Sequence, residues 1–166
     1  RKFEYNLFPI SSAEIYASEG LLSVRQTLER RLIYGSYPEV FSRPEESRKI
    51  LMDITGSYLY KDLLAIEDIR RPVLLEKLLT ALALQLSSEV SYNELAQTIG
   101  TDNKTVEKYI DLLEKAFIVF RLNQYRKNLR AEVGRLRKIY FIDLGIRNAL
   151  INDFRPLHIR EDAGSL

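Results

Sequence analysis

The sequence predicts a mainly α chain with a small β hairpin, a helical segment followed by a winged helix-turn-helix. Three observations predict it. Ser91-Tyr92-Asn93-Glu94 opens a short amphipathic stretch that ends at Gly100, and a second begins at once from Thr101 or Asp102. Two β-rich runs follow, 117–122 and 138–142, on either side of a basic stretch with Gly134 at its turn. Ahead of them, 72–86 is apolar nearly all round, the pattern of a helix at the centre of a core.

From the N-terminus, Phe3, Tyr5 and Leu7 alternate with Glu4 and Asn6, a period of two that reads as a strand ended by Pro9. Ser11 or Ser12 caps a short helix, with Glu14 placed for the reciprocal contact. Val24, Leu28 and Leu32 mark one face of a helix over 21–34, stopped by Gly35, and Tyr37-Pro38 reads as a turn. Pro44 suits the first position of a long helix, with Glu45 and Glu46 at its positive end. Ile50, Leu51, Ile54, Tyr58 and Leu59 carry its apolar period. A bend is expected near Gly56 and an end before Arg71-Pro72.

The helix over 72–86 follows, with Leu75, Leu78, Leu79 and Leu82. Residues 87–92 read as a break. Ser91 and Glu94 match the S-x-x-E capping box, and Leu95, Ala96 and Ile99 face inward. The next helix, to about Lys115, turns Val106, Tyr109, Ile110 and Leu113 inward. Asp143 caps a last helix over 144–151. These elements divide into 1–71, a helical lid-like segment; 72–151, the winged helix-turn-helix; and 152–166, the start of a further domain. The opening without Met and the abrupt REDAGSL end read as a piece of a longer chain.

Composition excludes several chemistries. The 166 residues hold no cysteine and one histidine, His158, so disulfides, thiolate metal sites and histidine clusters are absent. Lack of cysteine fits a cytoplasmic location. No run of about 18 apolar residues occurs. There is no phosphate loop and no G-x-S-x-G serine context. The pairs Glu45-Glu46 and Glu67-Asp68 read as solvated helix faces, and Tyr109 and Phe117 fit core spacing better than base stacking. No catalytic centre is expected, and no metal or cofactor within these residues.

Net charge is only +2, but its distribution is informative. Arg126, Lys127, Arg130, Arg135, Arg137 and Lys138 crowd into 125–138 against Glu132 alone. In a winged helix this hairpin lies along phosphates, and the N-terminal half of the second helix enters the major groove. That half carries Asn103, Lys104, Thr105 and Lys108. DNA is therefore one expected partner. The competing reading is protein docking: Glu107, Asp111 and Glu114 put three carboxylates on the same helix and repel phosphate.

Five segments in order, 3–14 (FEYNLFPISSAE), 34–41 (YGSYPEVF), 58–63 (YLYKDL), 91–115 and 138–150 (KIYFIDLGIRNAL), resemble the bacterial and archaeal AAA-type ATPases that carry the domain of unknown function 4143. The resemblance implies an upstream ATPase module that binds ATP and Mg, with Arg1 as the nucleotide-proximal arginine at its tail. It also implies a nuclease-like domain downstream, starting at Arg160-Glu161-Asp162-Ala163-Gly164. The winged helix would then bind DNA, or dock the ATPase module against the nuclease-like domain or a partner protein.

Overall fold

In the computed structural model the described residues are 8–59, 63, 71–122 and 137–166. All but Phe8 of the expected strand at 2–8, Arg1, Glu67-Asp68 and most of the basic hairpin, including Arg126, Lys127, Arg130 and Arg135, lie outside them.

Five short helices come first: α1 (Ser12–Glu19), α2 (Leu21–Gln26), α3 (Leu28–Tyr34), α4 (Pro38–Ser42) and α5 (Ser47–Asp53). Ser11 and Glu14 form the full capping box on α1: each residue's side chain accepts from the other's backbone N–H, at 3.2 and 2.8 Å. The single helix expected over 21–34 is divided at Thr27. Its hydroxyl donates back to the Ser23 carbonyl at 2.8 Å, and its φ and ψ of −89° and −4° sit at the edge of the helical region. Pro38 starts a helix rather than a plain turn, because proline suits a first helical position. Pro44 opens a 3₁₀ turn, Pro44–Glu46, and α5 begins only at Ser47. The bend expected near Gly56 is a π-helical turn, Ile54–Tyr58.

The winged helix follows: α6 (Pro72–Leu84), β1 (Glu89–Val90), α7 (Tyr92–Ile99), α8 (Asn103–Lys115), β2 (Val119–Leu122), β3 (Arg137–Phe141) and α9 (Leu144–Leu150). The sheet is antiparallel with order β1-β3-β2. Phe120 lies opposite Tyr140, Arg121 opposite Ile139, and Glu89 opposite Lys138. β1 falls inside the expected break at 87–92; two residues are too few to show a period. Phe117, expected in the β run, instead turns the chain with φ of +54°, and β2 starts two residues later.

One apolar core joins the two halves. Leu75, Leu78, Leu79 and Leu82 of α6 meet Val106, Ile110 and Leu113 of α8, Ile139 and Phe141 of β3, and Val40, Ile50 and Leu51 from α4 and α5. α9 packs on α3 and α5. Two glycines permit that approach. A Cβ on Gly145 would lie 2.1 Å from the Tyr34 carbonyl oxygen. One on Gly35, whose φ is +73°, would lie 2.0 Å from Asp143 Oδ1. Asp143 caps α9 and also accepts from the Ser36 N–H at 2.8 Å, so it ties the two halves together. Burial pushes its carboxyl above the usual range, although several backbone amides pull the other way.

Residues 152–166 pack against α9. Arg160, whose side chain is fully buried, bonds both oxygens of Asp162 at 2.8 Å, the Asp153 carbonyl at 3.0 Å and Asn148 Oδ1 at 3.0 Å. Arg147 reaches the same Asp162 at 2.5 Å and the Ala83 carbonyl at 2.7 Å. The Arg160 hydrogen bonds hold Asp162 well below the usual carboxylate range, aided by Arg147. Arg155 holds Asp153 down to about 2.

Both depressed carboxyls contribute stability that is complete above their unfolded value near pH ~4 and is lost as pH falls further. Asp143 works in the opposite sense, contributing most below its unfolded value, but it is one group against four, because the exposed capping carboxyls Glu14 and Asp102 are lowered as well. We therefore expect thermal stability to decline from about pH 4 downward, with Asp162→Asn flattening that acid limb. Melting curves between pH 2 and 6 check this; an unchanged limb in the variant would contradict it.

Candidate nucleic-acid interface

Sequence fixes the position of α8. Asp102 caps it, accepting from the Thr105 N–H at 3.0 Å, and Gly100, with φ of +76°, ends α7 two residues earlier. This tight corner sets the inward stripe of Val106, Tyr109, Ile110 and Leu113 against the core. Asn103, Lys104, Glu107 and Lys108 are exposed on the other side. They form the N-terminal half of the face a winged helix presents to a groove.

The four predicted residues of this helix differ in what they offer. Lys104 and Lys108 reach solvent. Asn103 donates through Nδ2 to Asn93 Oδ1, which fixes its amide at the mouth of the turn. Thr105 is half-buried, and its hydroxyl donates to Asp102 Oδ2 at 2.9 Å, so its role is in the cap.

The carboxylates that favoured docking are not equivalent. Asp111 and Glu114 are gripped by Arg121 of β2. Its Nη2 lies 2.7 Å from Asp111 Oδ1 and also pairs with Glu114, and its Nε donates to Glu114 Oε2 at 2.7 Å. The Arg121 backbone N–H also donates to Glu114 Oε1 at 2.6 Å, so this carboxylate covers part of the open edge of β2. Burial works against the Arg121 charge, yet the hydrogen bonds from Glu114 and Tyr92 outweigh it and push its basicity above the usual guanidinium range. Glu107 is the carboxylate of α8 that stands outside this Arg121 cluster, while Asp111 stays partly exposed within it.

The pleat separates the two described cations of β3. Arg137 points inward, 5.3 Å from the Tyr92 ring centroid, and donates to the Tyr92 hydroxyl at 3.1 Å. Lys138 points outward and is exposed. On that outer face Phe120 stacks on Tyr140 at 5.4 Å, beside the exposed Leu122. Sequence reasoning left Tyr92 and Arg121 out of the site. The signal for Arg121 was present: strand alternation turns it inward, toward Asp111 and Glu114, which lie three apart on one helix face.

Elsewhere, a cleft of about 540 Å³ opens beside α5, with Ile50, Ile54 and Ile118 among its apolar residues and Arg43, Glu46 and Lys49 among its charged ones. Arg43 is paired with Glu39 and, at 3.7 Å, with Glu46, and His158 is exposed far along the chain. Among the described residues no group of three or more metal-ligating side chains comes together, and no helix is long and apolar enough to cross a membrane.

The model of the domain of unknown function 8612 matches residues 25–157, most of the chain. The chain belongs to that family. It is also 24% identical over 161 residues to an uncharacterized protein of Haemophilus influenzae, covering 91% of this chain and 40% of that one. The chain thus spans about two fifths of the length of this relative. No solved structure matches it.

Family membership corrects the resemblance to AAA-type ATPases carrying domain 4143: the matching family is a different one. The short segments that suggested it have local physical roles in this fold. In 34–41, Gly35 makes room for Asp143; in 138–150, Asp143 caps α9 and Gly145 lets it meet Tyr34. The ATPase-tail role of Arg1, the expected ATP and Mg, and a nuclease-like start at 160–164 rested on that resemblance alone. Arg160 and Asp162 are ion-paired in the packing against α9.

Proposed function

We propose that this member of the 8612 family is a nucleic-acid-binding winged helix that engages duplex DNA through α8 and the hairpin joining β2 to β3. The observation that carries the reading is the internal pairing of Asp111 and Glu114 with Arg121, which leaves Asn103, Lys104, Glu107 and Lys108 as the exposed face. Lys104 and Lys108 outnumber Glu107 there. The hairpin cations Arg126, Lys127, Arg130 and Arg135 extend the positive charge in sequence, whereas Lys138 points to the outer sheet face beside Leu122. Phosphate contacts supply affinity, and base edges in the major groove supply any sequence preference. A cytoplasmic site of action fits this reading.

Fluorescence anisotropy with a labelled duplex at low salt tests it. Binding is expected, with affinity falling steeply as salt rises. Lys104→Glu with Lys108→Glu is expected to weaken it about tenfold or more and to flatten the salt slope by about 2. Absence of binding at ~50 mM salt, or an unchanged slope in the double variant, would end the proposal.

A second reading is favoured by one observation. The outer sheet face presents Phe120 and Leu122 beside Tyr140, an apolar surface that suits a protein partner better than phosphate. Phe120→Ser with Leu122→Ser would leave DNA binding intact if the first reading holds.

A further inference from the structure

The three most deeply buried arginine side chains differ in one respect. Arg147 and Arg160 share Asp162. Arg31, on α3 and only 8% exposed, has no carboxylate partner among the described residues. Its Nη1 donates to Ser12 Oγ at 2.9 Å and its Nη2 to the Val24 carbonyl at 3.1 Å, both neutral acceptors. Its Nε is buried without any partner. A guanidinium taken out of water with neutral partners and one nitrogen wholly without a partner is costly to hold.

That charge lies beside a pocket. Arg31 and Ser12 both line a space of about 430 Å³ between α1, α3 and the start of α9, within the size range of small-ligand sites. Phe8, Pro9, Leu28, Leu32 and Leu144 make its walls largely apolar. Because the guanidinium reaches Ser12, its charged end lies on the pocket side of α3. The first turn of α1 adds the favourable end of a helix dipole, partly offset by Glu14 in the capping box. One carboxylate, Asp143, also lines the pocket, and it is committed to the backbone N–H groups of Ser36 and Ile146 at 2.8 and 3.1 Å.

We propose that this pocket binds a small ligand with an oxyanion head and an apolar body, with the Arg31 guanidinium taking the charge. The bidentate geometry of guanidinium suits a carboxylate, and the walls suit a short hydrocarbon body. This site is separate from the α8 face and does not depend on DNA binding.

Thermal unfolding with hexanoate tests it, alongside hexanol and inorganic phosphate as probes lacking the head or the body. At about ten times its Kd, hexanoate should raise the folded-to-unfolded ratio about elevenfold. Hexanol and phosphate should raise it much less. Arg31→Met should abolish the response. Leu28→Trp, which fills the pocket from a half-exposed rim position, should abolish it too, and decides alone if Arg31→Met does not fold. No response in the unmodified protein overturns the proposal, as does an equal response in Leu28→Trp. A response to phosphate as large as that to hexanoate would mean an adventitious ion only, and also overturns it.

Discussion

Replacing Gly145 with alanine should destabilise the protein strongly. The new Cβ would stand 2.1 Å from the Tyr34 carbonyl oxygen and 2.9 Å from Asp143 Oδ1. The closest obstacle is backbone, so no rotamer change relieves it. Nor can α9 back away cheaply. Asn148 Nδ2 donates to the carbonyls of Leu32 and Ile33 at 3.1 and 2.7 Å, and Asp143 holds the Ser36 N–H. Relief requires breaking those bonds or parting α3 from α9. Overpacking of this severity costs about 3 kcal/mol or more, a large share of a typical stability of 5–15 kcal/mol, and lowers Tm by roughly 10 °C in a chain of this length. Gly164→Ala, where a Cβ meets nothing within 4 Å, is the control and should move Tm very little. Calorimetry of the two variants checks the pair, and equal melting points would refute the packing argument.

Arg160→Ala should produce the second large effect. The side chain is fully buried and satisfies four acceptor atoms: both oxygens of Asp162, the Asp153 carbonyl and Asn148 Oδ1. Removing it leaves a void, an unmet carbonyl and a carboxylate whose remaining partner is Arg147. Breaking such a buried network by truncating one member costs about 3–5 kcal/mol. The loss should be read as a lower urea midpoint. It should also appear as earlier proteolysis after residue 152, because these bonds hold that segment to α9. Arg160→Lys should fall between, since an ammonium cannot reproduce the two parallel bonds to Asp162. A loss under ~1 kcal/mol in the alanine variant would show that the network contributes little.

Local signals in the chain foretold the winged helix well. Ser91 and Asp143 cap the helices they were expected to cap, Asp102 proves to be the cap of α8 out of the two candidates Thr101 and Asp102, and Gly100 ends α7, because caps depend on neighbours within a few residues. The β-rich runs gave β2 and β3. What escaped depends on distant partners or on very short elements. β1 has two residues and forms only because β3 passes beside it. Gly145 reads as an ordinary helical glycine until Tyr34 is placed next to it. Arg147 and Asn148 look out of place in an apolar helix, which was a usable hint, but their partners lie in 32–33, 83 and 160–162.

The interface was legible in outline only. Helical period put Asn103, Lys104 and Lys108 on one face, and they are there. Charge counting missed the partner of Asp111 and Glu114, because a count cannot see that Arg121 comes back along β2 to meet them. It also treated Arg137 and Lys138 as one patch, whereas adjacent strand residues point to opposite sides. The family resemblance went astray for a related reason. Short matching segments report local packing needs, such as a glycine under a neighbouring carbonyl, and do not by themselves carry membership of a family.

The most direct measurement is an amide NMR titration of the protein with a short DNA duplex at low salt. Perturbations are expected at Asp102 to Lys108 and in the hairpin, with the outer sheet face that carries Phe120, Leu122 and Lys138 and residues 152–166 unmoved. Shifts confined to that sheet face, or no shifts at stoichiometric DNA, would contradict it.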